Sequence, residues 1–518
     1  MKRKFLLFLT SFAVIINTGI SKAQWISHHK PVFQGIVPQP AAGVPITDLK
    51  FRTSVIRITD ARSLNLKGIV PVYSKRQAWN SDESYLLLAD NGNGNVRLYN
   101  GISYQFIGNL PDVSGEDIFW SPADPDLIYF NPDSVLNTYR ISTGQINKLY
   151  AFTLYSFANT RGEGNLSNDG KYYAIAGQHY NYTTGDVTIS DILVFDIQSN
   201  AVIKTIPLPG NLTDFDWVSI SPLGNYVVVD YADWENGRYH GLEVYDRNLN
   251  FIWQKPLGPG HSDMGIDAGN QEMIIMEKYD SDADSTFIMK YRLSDGQETK
   301  LLGLSARFDL HISCRNEQRR DWCFISTFDY MGRLTDDSLS WMPFEDELFA
   351  LKMDGSRKVE RIAHHHSRRF SPSTPDADKS VYAAEPHATI NRSGDRILFG
   401  SNWRTKIDQE SSVDTYVADF KSFLGFNEIY NIPGIKGIVF PNPVRETACF
   451  RFLLNEKSEV NLEIKDITGK ILKTVFKLHL EKGFHEIPFT VSSIPSGIYL
   501  ACLQTDHLNL IIKIAVTN

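Results

Sequence analysis

The sequence predicts an all-β protein, a seven-bladed β-propeller followed by a small β-sandwich. Two observations predict this fold class. A turn followed by an apolar strand recurs seven times between residues 73 and 420, mostly at spacings of about 40 to 55 residues, the period of propeller blades. Aromatic residues make up 12% of the chain and turn-forming residues occur throughout, a composition that suits many short strands.

Each repeat has a polar turn and then an apolar strand, as in Ile390-Asn-Arg-Ser-Gly-Asp-Arg-Ile-Leu-Phe399. Asn, Asp and Gly are frequent in these turns because they tolerate positive φ. Many repeats end in a second hairpin, so that each unit holds four strands, as a propeller blade does. The seven copies start at Trp79, Trp120, Leu166, Ile220, Ile266, His311 and Ile390, of which the sixth is the most diverged.

The segments outside the repeats give the domain organisation. Residues 1–23 have the features of a secretory signal, with Lys2-Arg3-Lys4 ahead of an apolar run and small residues at the cleavage positions. Residues 24–72 form a leader and an alternating strand, which can complete the last sheet of the ring and remove its free edge. Residues 73–420 form the propeller, 421–436 a linker and 437–518 a sandwich of alternating strands.

Composition and charge exclude several classes of function. The net charge is -8 and no basic stripe occurs in the mature chain, which argues against nucleic-acid binding. After the signal, no run of about 18 uninterrupted apolar residues predicts a membrane span. Four cysteines are too few for a disulfide scaffold. Cys314 and Cys323 either form a local bridge or remain as two buried thiols.

Charged residues and histidines precede the strand that opens each repeat. In a propeller that strand lines the central channel, so these residues are expected at one channel mouth. Histidine can act as a base or bind a transition metal, and arginine can neutralise a carboxylate. The candidate catalytic residues are His261, His311, Arg315 and His387, and the candidate ligand-binding residues are Arg76, Glu116, Arg161, Glu163, Asp216, Glu385 and Trp403.

A second group of histidines, His364 to His366, falls in the long insertion between the sixth and last repeats. Long loops over a rigid scaffold often carry binding residues. In one interpretation His365 reaches the channel mouth and binds a metal together with His311 and His387. In the other, the three histidines lie in an exposed, solvated loop.

Two sets of motifs resemble known families. The Ser-Pro and Asp-Gly turns of the repeats resemble those of TolB-like and WD-repeat-like propellers. In the tail, Pro441-Asn-Pro443, Asp466-Ile-Thr-Gly-Lys470 and Ser496-Gly-Ile-Tyr499 occur in the order found in the C-terminal sorting domain of type IX secretion cargo. That resemblance implies a bacterium of the Bacteroidota type, the type IX secretion machinery as a partner, and release or attachment at the outer-membrane surface.

The histidine pattern resembles a third family. His261, His311, His364 to His366 and His387, with Ile397-Leu-Phe-Gly-Ser-Asn402, are similar to the arrangement in oligogalacturonate lyases. Those enzymes are seven-bladed propellers with a histidine-rich manganese site and a catalytic histidine. The resemblance implies a divalent metal such as Mn and an acidic polysaccharide as partner. The family's pair of histidines in the last blade is here a single histidine, His387, followed by Ala388.

Three functions remain open from the sequence. The first is a polysaccharide lyase acting on acidic, uronate-containing glycans at the channel mouth. The second is a non-catalytic propeller that binds a glycan or a protein at the cell surface. The third is a structural or assembly partner. Trp234, Trp322 and Trp403 suit either sugar stacking or core packing.

Overall fold

The computed structural model describes most of the chain, which divides into two compact units, Met1–Ile429 and Tyr430–Asn518. The signal predicted for residues 1–23 lies outside the described residues, as does the predicted linker apart from Lys421. The described ranges are residues 25–91, 94–210, 212, 214–258, 260–329, 340–369, 382–403, 412–421, 437–440, 444–454, 457–492, 494–505 and 509–517.

The first unit consists of seven antiparallel sheets, six of which are built from strands that follow one another along the chain. These sheets are the blades of the predicted propeller, and the all-β fold class is confirmed. Blade 1 comprises Gly68–Val70, Tyr85–Asn91, Val96–Asn100 and Phe106–Asn109. Blade 2 comprises Asp117–Trp120, Leu127–Asn131, Val135–Arg140 and Gln145–Ala151. Blade 3 comprises Phe157–Asn159, Tyr172–Tyr180, Val187–Asp196 and Ala201–Pro207. Blade 4 comprises Trp217–Ile220, Tyr226–Asp230, Leu242–Asp246 and Phe251–Lys255. Blade 5 comprises Ser262–Ile266, Glu272–Asp280, Ser285–Arg292 and Glu298–Ser305. Blade 6 comprises Phe308–Ser313, Trp322–Asp329, Glu347–Lys352 and Val359–His364.

Blade 7 joins the two ends of the propeller. Its strands Thr389–Ile390, Arg396–Ser401 and Asp414–Asp419 come from the end of the unit, and Ser54–Arg57 pairs antiparallel with the last of them. Pro45–Thr47 adds a fifth strand outside Ser54–Arg57. The ring is therefore closed by a strand that precedes blade 1, which is the role that the sequence pattern assigns to this segment.

The core of the propeller lies between neighbouring blades. Each strand alternates its apolar side chains between its two faces, so each sheet packs against the sheet on either side. Ile275 of blade 5 and Ile325 of blade 6 belong to one such cluster, and Val194 of blade 3 and Val229 of blade 4 belong to another. This ring of separate cores leaves the innermost strands facing a central channel.

Two innermost strands are interrupted by inserted residues. In blade 1, Val70 pairs with Ala89 and Trp79 pairs with Leu86, so the residues from 71 to 77 have no place in the ladder. In blade 3, Asn159 pairs with Ala176 and the ladder resumes only at Leu166, which pairs with Tyr173. We call residues 71–77 the blade 1 insert and residues 160–165 the blade 3 insert. Both enter the central channel because they leave the strands that line it.

The second unit contains a three-stranded and a four-stranded antiparallel sheet around one apolar cluster that includes Phe450, Leu462 and Ile514. Its strand bounds agree with a small β-sandwich. Within the described residues of the whole chain, no helix is long and apolar enough to cross a membrane. The strands are Gly437–Phe440, Thr447–Leu454 and Gly483–Thr490 in one sheet, and Ile471–Leu480, Ser458–Lys465, Gly497–Gln504 and Asn509–Val516 in the other.

Candidate functional site

Three residues from blades 6 and 7 converge in the channel: His311, Glu385 and His387. Their ligand atoms all lie within 4.8 Å of one another, and all three side chains are buried. The carboxylate of Glu385 lies 3.5 Å from Nε2 of His311 and 3.7 Å from Nε2 of His387. Both nitrogens of His311 and Nε2 of His387 are buried without a hydrogen-bond partner. Because buried polar atoms are normally hydrogen-bonded, these orphaned nitrogens indicate a missing partner such as a metal ion.

The backbone and the electrostatics of this triad favour metal binding. His387 has a positive φ of 41°, a conformation that is uncommon away from glycine and concentrated at functional sites. Burial lowers the pKa of His311 well below its usual range and lowers that of His387 to about 3. Both imidazoles are therefore neutral, which is the form that binds metals. Burial raises the pKa of Glu385 to about 7, although Arg369, 2.9 Å away, opposes the shift.

His261 of blade 5 stands beside the triad, its ring centroid 4.3 Å from that of His311. Its Nδ1 lies 3.2 Å from the carboxylate of Glu277 and 3.1 Å from that of Asp309. Burial alone would lower the pKa of His261, but these two carboxylates outweigh it and raise that pKa to about 10. The pair of acids fixes the orientation of the ring and leaves Nε2 as the nitrogen that can exchange a proton with a ligand.

The blade 1 insert crosses the channel below the triad. Arg76 is buried, pairs with Asp117 of blade 2 at 2.6 Å and donates to the carbonyl of Gly162 in the blade 3 insert at 2.7 Å. Gln77 donates to the carbonyls of Arg315 and Ile390, in blades 6 and 7. One short segment thus links blades 2 and 3 to blades 6 and 7 across the channel. We call the part of the channel around the triad and His261 the pocket, and this segment its floor.

The same insert supplies a second charged group. Lys75 is buried, with Nζ 2.6 Å from the carboxylate of Glu163 and 4.0 Å from the centroid of the Trp217 ring. Burial would raise the pKa of Glu163, but the ammonium of Lys75 outweighs it and lowers that pKa. Burial, with the charge of Glu163, raises the pKa of the neighbouring Asp216. The pocket therefore places an ammonium group opposite the imidazoles, with carboxylates around it.

Asp230, at the end of the second strand of blade 4, is fully buried beside this charged group. Burial raises its pKa to about 8, and the carboxylates of Asp216 and Glu163 add to the shift. One of its oxygens accepts from the backbone of Ala232, and the other has no hydrogen-bond partner. The folded protein therefore keeps this acid protonated over a range in which the unfolded chain ionises it.

This buried acid predicts a loss of stability with rising pH. Since the folded pKa lies above the unfolded value of 3.8, the free energy of unfolding should fall between about pH 4 and pH 8 and level off above. Asp230→Asn should remove this component and raise the free energy of unfolding by about 2 kcal/mol at roughly pH 8.5, with little gain near pH 4. Urea denaturation at several pH values measures both effects. Asp282→Asn, at an exposed hairpin tip, is the control, and an identical pH dependence for the wild type and Asp230→Asn would contradict the assignment.

Arg315 does not join the histidines. Its guanidinium donates to both oxygens of Asp263, at 2.7 and 3.0 Å, and to the carbonyl of Met264 at 2.8 Å, so its donors link blade 6 to blade 5. The predicted catalytic role requires a free guanidinium in the pocket, whereas the burial of this ion pair indicates a role in stability.

We expect Arg315→Met to lower the free energy of unfolding by about 3 to 5 kcal/mol, because it leaves the carboxylate of Asp263 buried without its counter-charge. Chemical denaturation measures the change. The double variant Asp263→Leu with Arg315→Met removes both charges and should recover much of the loss. If Arg315→Met alone is as stable as the wild type, the ion pair with Asp263 does not contribute to stability as proposed.

His365 also lies away from the triad, contrary to its predicted role as a metal ligand. Its Nε2 lies 2.8 Å from the carbonyl of Thr327, and its Nδ1 accepts from the backbone of Ser367 at 3.0 Å. His364 ends the outermost strand of blade 6, and His365 and His366 follow it. All three are buried, so they lie neither in the pocket nor in an exposed loop. The third ligand position near His311 and His387 is taken by Glu385.

The remaining predicted ligand-binding residues fall into two groups. Glu163 and Asp216 line the pocket around Lys75, and Arg161 belongs to the same insert as Glu163. By contrast, the ring of Trp403 is buried against Tyr416, with centroids 4.8 Å apart, and its indole N–H donates to Val37. The side chain of Glu116 is exposed ahead of blade 2, and Arg76 is committed to the floor.

Several pocket residues were missed by the sequence patterns. Lys75 lies one residue and Tyr73 three residues before Arg76, the residue predicted in blade 1. The register of an inserted segment cannot be obtained from strand periodicity. Glu277 and Asp309 lie in strands whose alternation gives no sign of a paired histidine. Tyr382 has its ring centroid 4.8 Å from that of His387 and precedes Glu385 by three residues. Its proximity to the Glu385–His387 motif is the one signal that was available.

Comparison with known proteins assigns the C-terminal unit. Residues 438–517 match the family described as the secretion system C-terminal sorting domain. This chain carries a type IX secretion sorting domain. Its presence indicates export to the cell surface or beyond. No curated protein matches the chain.

Cys314 and Cys323, left open by the sequence, are both free and buried thiols in the propeller.

Two solved structures are similar to the propeller. An oligogalacturonate lyase from Vibrio parahaemolyticus has 13% identity and a TM-score of 0.51, over 73% of this chain and 96% of that chain. An oligogalacturonate lyase in complex with manganese has 14% identity and a TM-score of 0.49, over 74% of this chain and 97% of that chain. At 13% identity the likeness to the Vibrio parahaemolyticus structure shows the fold alone, which agrees with the propeller that the seven sheets form.

Proposed function

We propose that the propeller is a divalent-metal-dependent lyase for acidic, uronate-containing glycans. The observation that carries this proposal is the convergence of His311, His387 and Glu385, whose imidazole nitrogens are buried and unpaired. Two neutral imidazoles and one carboxylate form a donor set that fits a divalent ion such as Mn²⁺, Fe²⁺ or Zn²⁺. A bound ion would supply positive charge to stabilise a uronate carboxylate as negative charge builds up on it.

His261 is the residue that we assign as the base. In an elimination, the proton α to the carboxyl group is removed, a double bond forms and the glycosidic oxygen leaves. Glu277 and Asp309 hold Nδ1 of His261, so Nε2 accepts the proton. The pKa of His261 is about 10 in this structure, and a cation held by His311, Glu385 and His387 would lower it toward the neutral imidazole that this role requires.

Tyr73 and Lys75 of the blade 1 insert complete the proposed chemistry. The ring of Tyr73 lies 5.9 Å from that of His311 and 5.6 Å from that of His387, centroid to centroid. Burial raises the pKa of Tyr73, so the phenol stays protonated and can donate to the leaving oxygen. The ammonium of Lys75 is buried and paired with Glu163, so it supports the position of the insert that carries Tyr73.

Export follows a two-step route in this proposal. Residues 1–23 act as the signal for the first membrane, and the sorting domain directs the protein through the type IX machinery. The source is then a bacterium of the Bacteroidota type, and the enzyme acts on glycans outside the cell or at its surface.

A uronate screen tests the lyase. Protein stripped of metal with a chelator and then loaded with Mn²⁺, Fe²⁺ or Zn²⁺ is incubated with oligogalacturonate, polygalacturonate or alginate. The expected result is ultraviolet absorbance from unsaturated products that depends on the metal and is absent with a neutral glycan such as dextran. If no metal and no uronate gives product, the lyase proposal fails and the non-catalytic binding protein becomes the better account.

A further inference from the structure

Two aromatic rings in segments that lead to the histidine cluster have about half of their surface exposed. Trp234 is 54% exposed and Tyr382 is 57% exposed, whereas Trp403 is buried. Trp322, the third tryptophan of interest, is covered by the cationic ends of Arg319 and Lys358. Of the three tryptophans that suit either packing or sugar stacking, Trp234 is the one with an open face.

Trp234 lies at the same end of the channel as the histidines. It belongs to the loop after Tyr226–Asp230, and the end of that strand bonds to Asp216, at the start of the innermost strand. The indole rests on the backbone of Gly258, since a Cβ placed on that glycine would come within 2.1 Å of Cε2. One ring face is thus packed on the segment that leads, three residues later, to His261, and the other face is open.

Tyr382 stands beside His387 of the cluster. It opens the short 3-10 turn Tyr382–Ala384, and its carbonyl accepts from the backbone of Glu385 at 2.9 Å. Its ring centroid is 4.8 Å from that of His387. The ring is therefore fixed by the residues that hold the proposed metal, while more than half of its surface faces solvent.

We propose that Trp234 and Tyr382 are stacking platforms for sugar rings of an acidic glycan that flank the reacting unit. This inference rests on the proposed function and extends it from a single uronate to a chain with rings in flanking subsites. A pyranose ring has an apolar C–H face that matches an aromatic plane, and its hydroxyls remain in water at the edge.

The surroundings favour a glycan over an apolar partner. Polar groups border Trp234, including Asp233, whose carboxylate lies 2.7 Å from the ring of His240. Beside Tyr382 lies the imidazole of His387, and a cation held there would complement the carboxylates of an acidic chain.

Chain-length kinetics test the proposal. Trp234→Ala and Tyr382→Ala should each raise KM for polygalacturonate at least about fivefold, and this change should exceed the change in kcat. The increase in KM should be smaller for the disaccharide digalacturonate. Trp234→Phe should recover part of the affinity because it keeps an aromatic face. Phe106→Ala is the matched control, since that ring is 49% exposed on the outermost strand of blade 1, away from the pocket.

The outcomes separate this inference from the proposed function. A KM for polygalacturonate that stays within the range of Phe106→Ala in both variants would overturn the stacking proposal even if the enzyme is an active lyase. If the wild type produces no unsaturated sugar, retardation in gels that contain polygalacturonate gives the answer. Weaker retardation of Trp234→Ala than of Phe106→Ala supports stacking. Equal retardation of the two, or none for the wild type, overturns it.

Discussion

Replacing His311 by alanine is expected to abolish metal binding and to lower kcat/KM on a uronate chain at least about a thousandfold. The ring is fully buried at the centre of the cluster, in contact with both His261 and His387. Its nitrogens have no hydrogen-bond partner that would otherwise explain the presence of a polar ring there. Because the other two ligands cannot hold a divalent ion tightly alone, loss of this imidazole should release it.

Metal analysis of the purified proteins measures the first effect, and ultraviolet absorbance of the products measures the second. His28→Ala, which removes an exposed histidine remote from the pocket, should keep both metal and activity. Circular dichroism and thermal melting of His311→Ala in chelator show whether the variant is folded. A folded His311→Ala that retains the metal and the activity would contradict the assignment of this residue.

A large effect on stability is also expected for Asp117→Asn, beneath the pocket. The carboxylate is fully buried and accepts from Arg76 at 2.6 Å, from the backbone of Thr160 at 2.6 Å and from the phenol of Tyr173 at 2.5 Å. An asparagine presents an N–H₂ group to at least one of these donors and leaves the guanidinium of Arg76 buried without a counter-charge. We expect the free energy of unfolding to fall by about 3 to 5 kcal/mol.

Guanidinium denaturation measures this loss. Asp112→Asn, an exposed position shortly before blade 2, is the control and should change the free energy of unfolding by less than about 0.5 kcal/mol. The same variant tests the floor of the pocket, because Arg76 and Asp117 anchor the blade 1 insert that carries Tyr73 and Lys75. A loss no larger than that of the control would show that the insert is held by other contacts.

The fold was accessible from the sequence because propeller blades depend on local rules. Turns such as Asn391-Arg-Ser-Gly394 require residues that tolerate left-handed backbone, and the strands between them alternate apolar and polar side chains. Both signals recur in every blade and reinforce each other. The type IX sorting domain was equally accessible, since its short motifs occur in a fixed order.

Part of the candidate site followed from the same rules. His261, His311 and His387 occur near the starts of innermost strands, and these strands meet at the channel, so their proximity could be predicted from blade register. The structure brings the three rings together, with centroids 4.3 Å apart for each pair that includes His311. Whether they react is the subject of the proposal and its tests.

The errors have physical causes. His365 was placed in the pocket because a long loop was assumed, whereas it directly follows the outermost strand of blade 6, which ends at His364, and its ring contacts Thr327 and Ser367. Arg315 follows the innermost strand of blade 6, and strand periodicity does not tell where its guanidinium points. Its pairing with Asp263 depends on the position of the neighbouring blade. Lys75 lies in an insert whose path across the channel is set by contacts with several blades, and periodicity along one strand carries no information about such contacts.

The central claim is that His311, Glu385 and His387 bind a divalent ion at which a uronate is cleaved. Diffraction from crystals loaded with Mn²⁺, recorded at the manganese absorption edge, tests it most directly. The account predicts one strong anomalous peak in the propeller, within bonding distance of Nε2 of His311, Nε2 of His387 and a carboxylate oxygen of Glu385. A peak bound elsewhere, or full uronate cleavage by protein that shows no peak between these three residues, would contradict it.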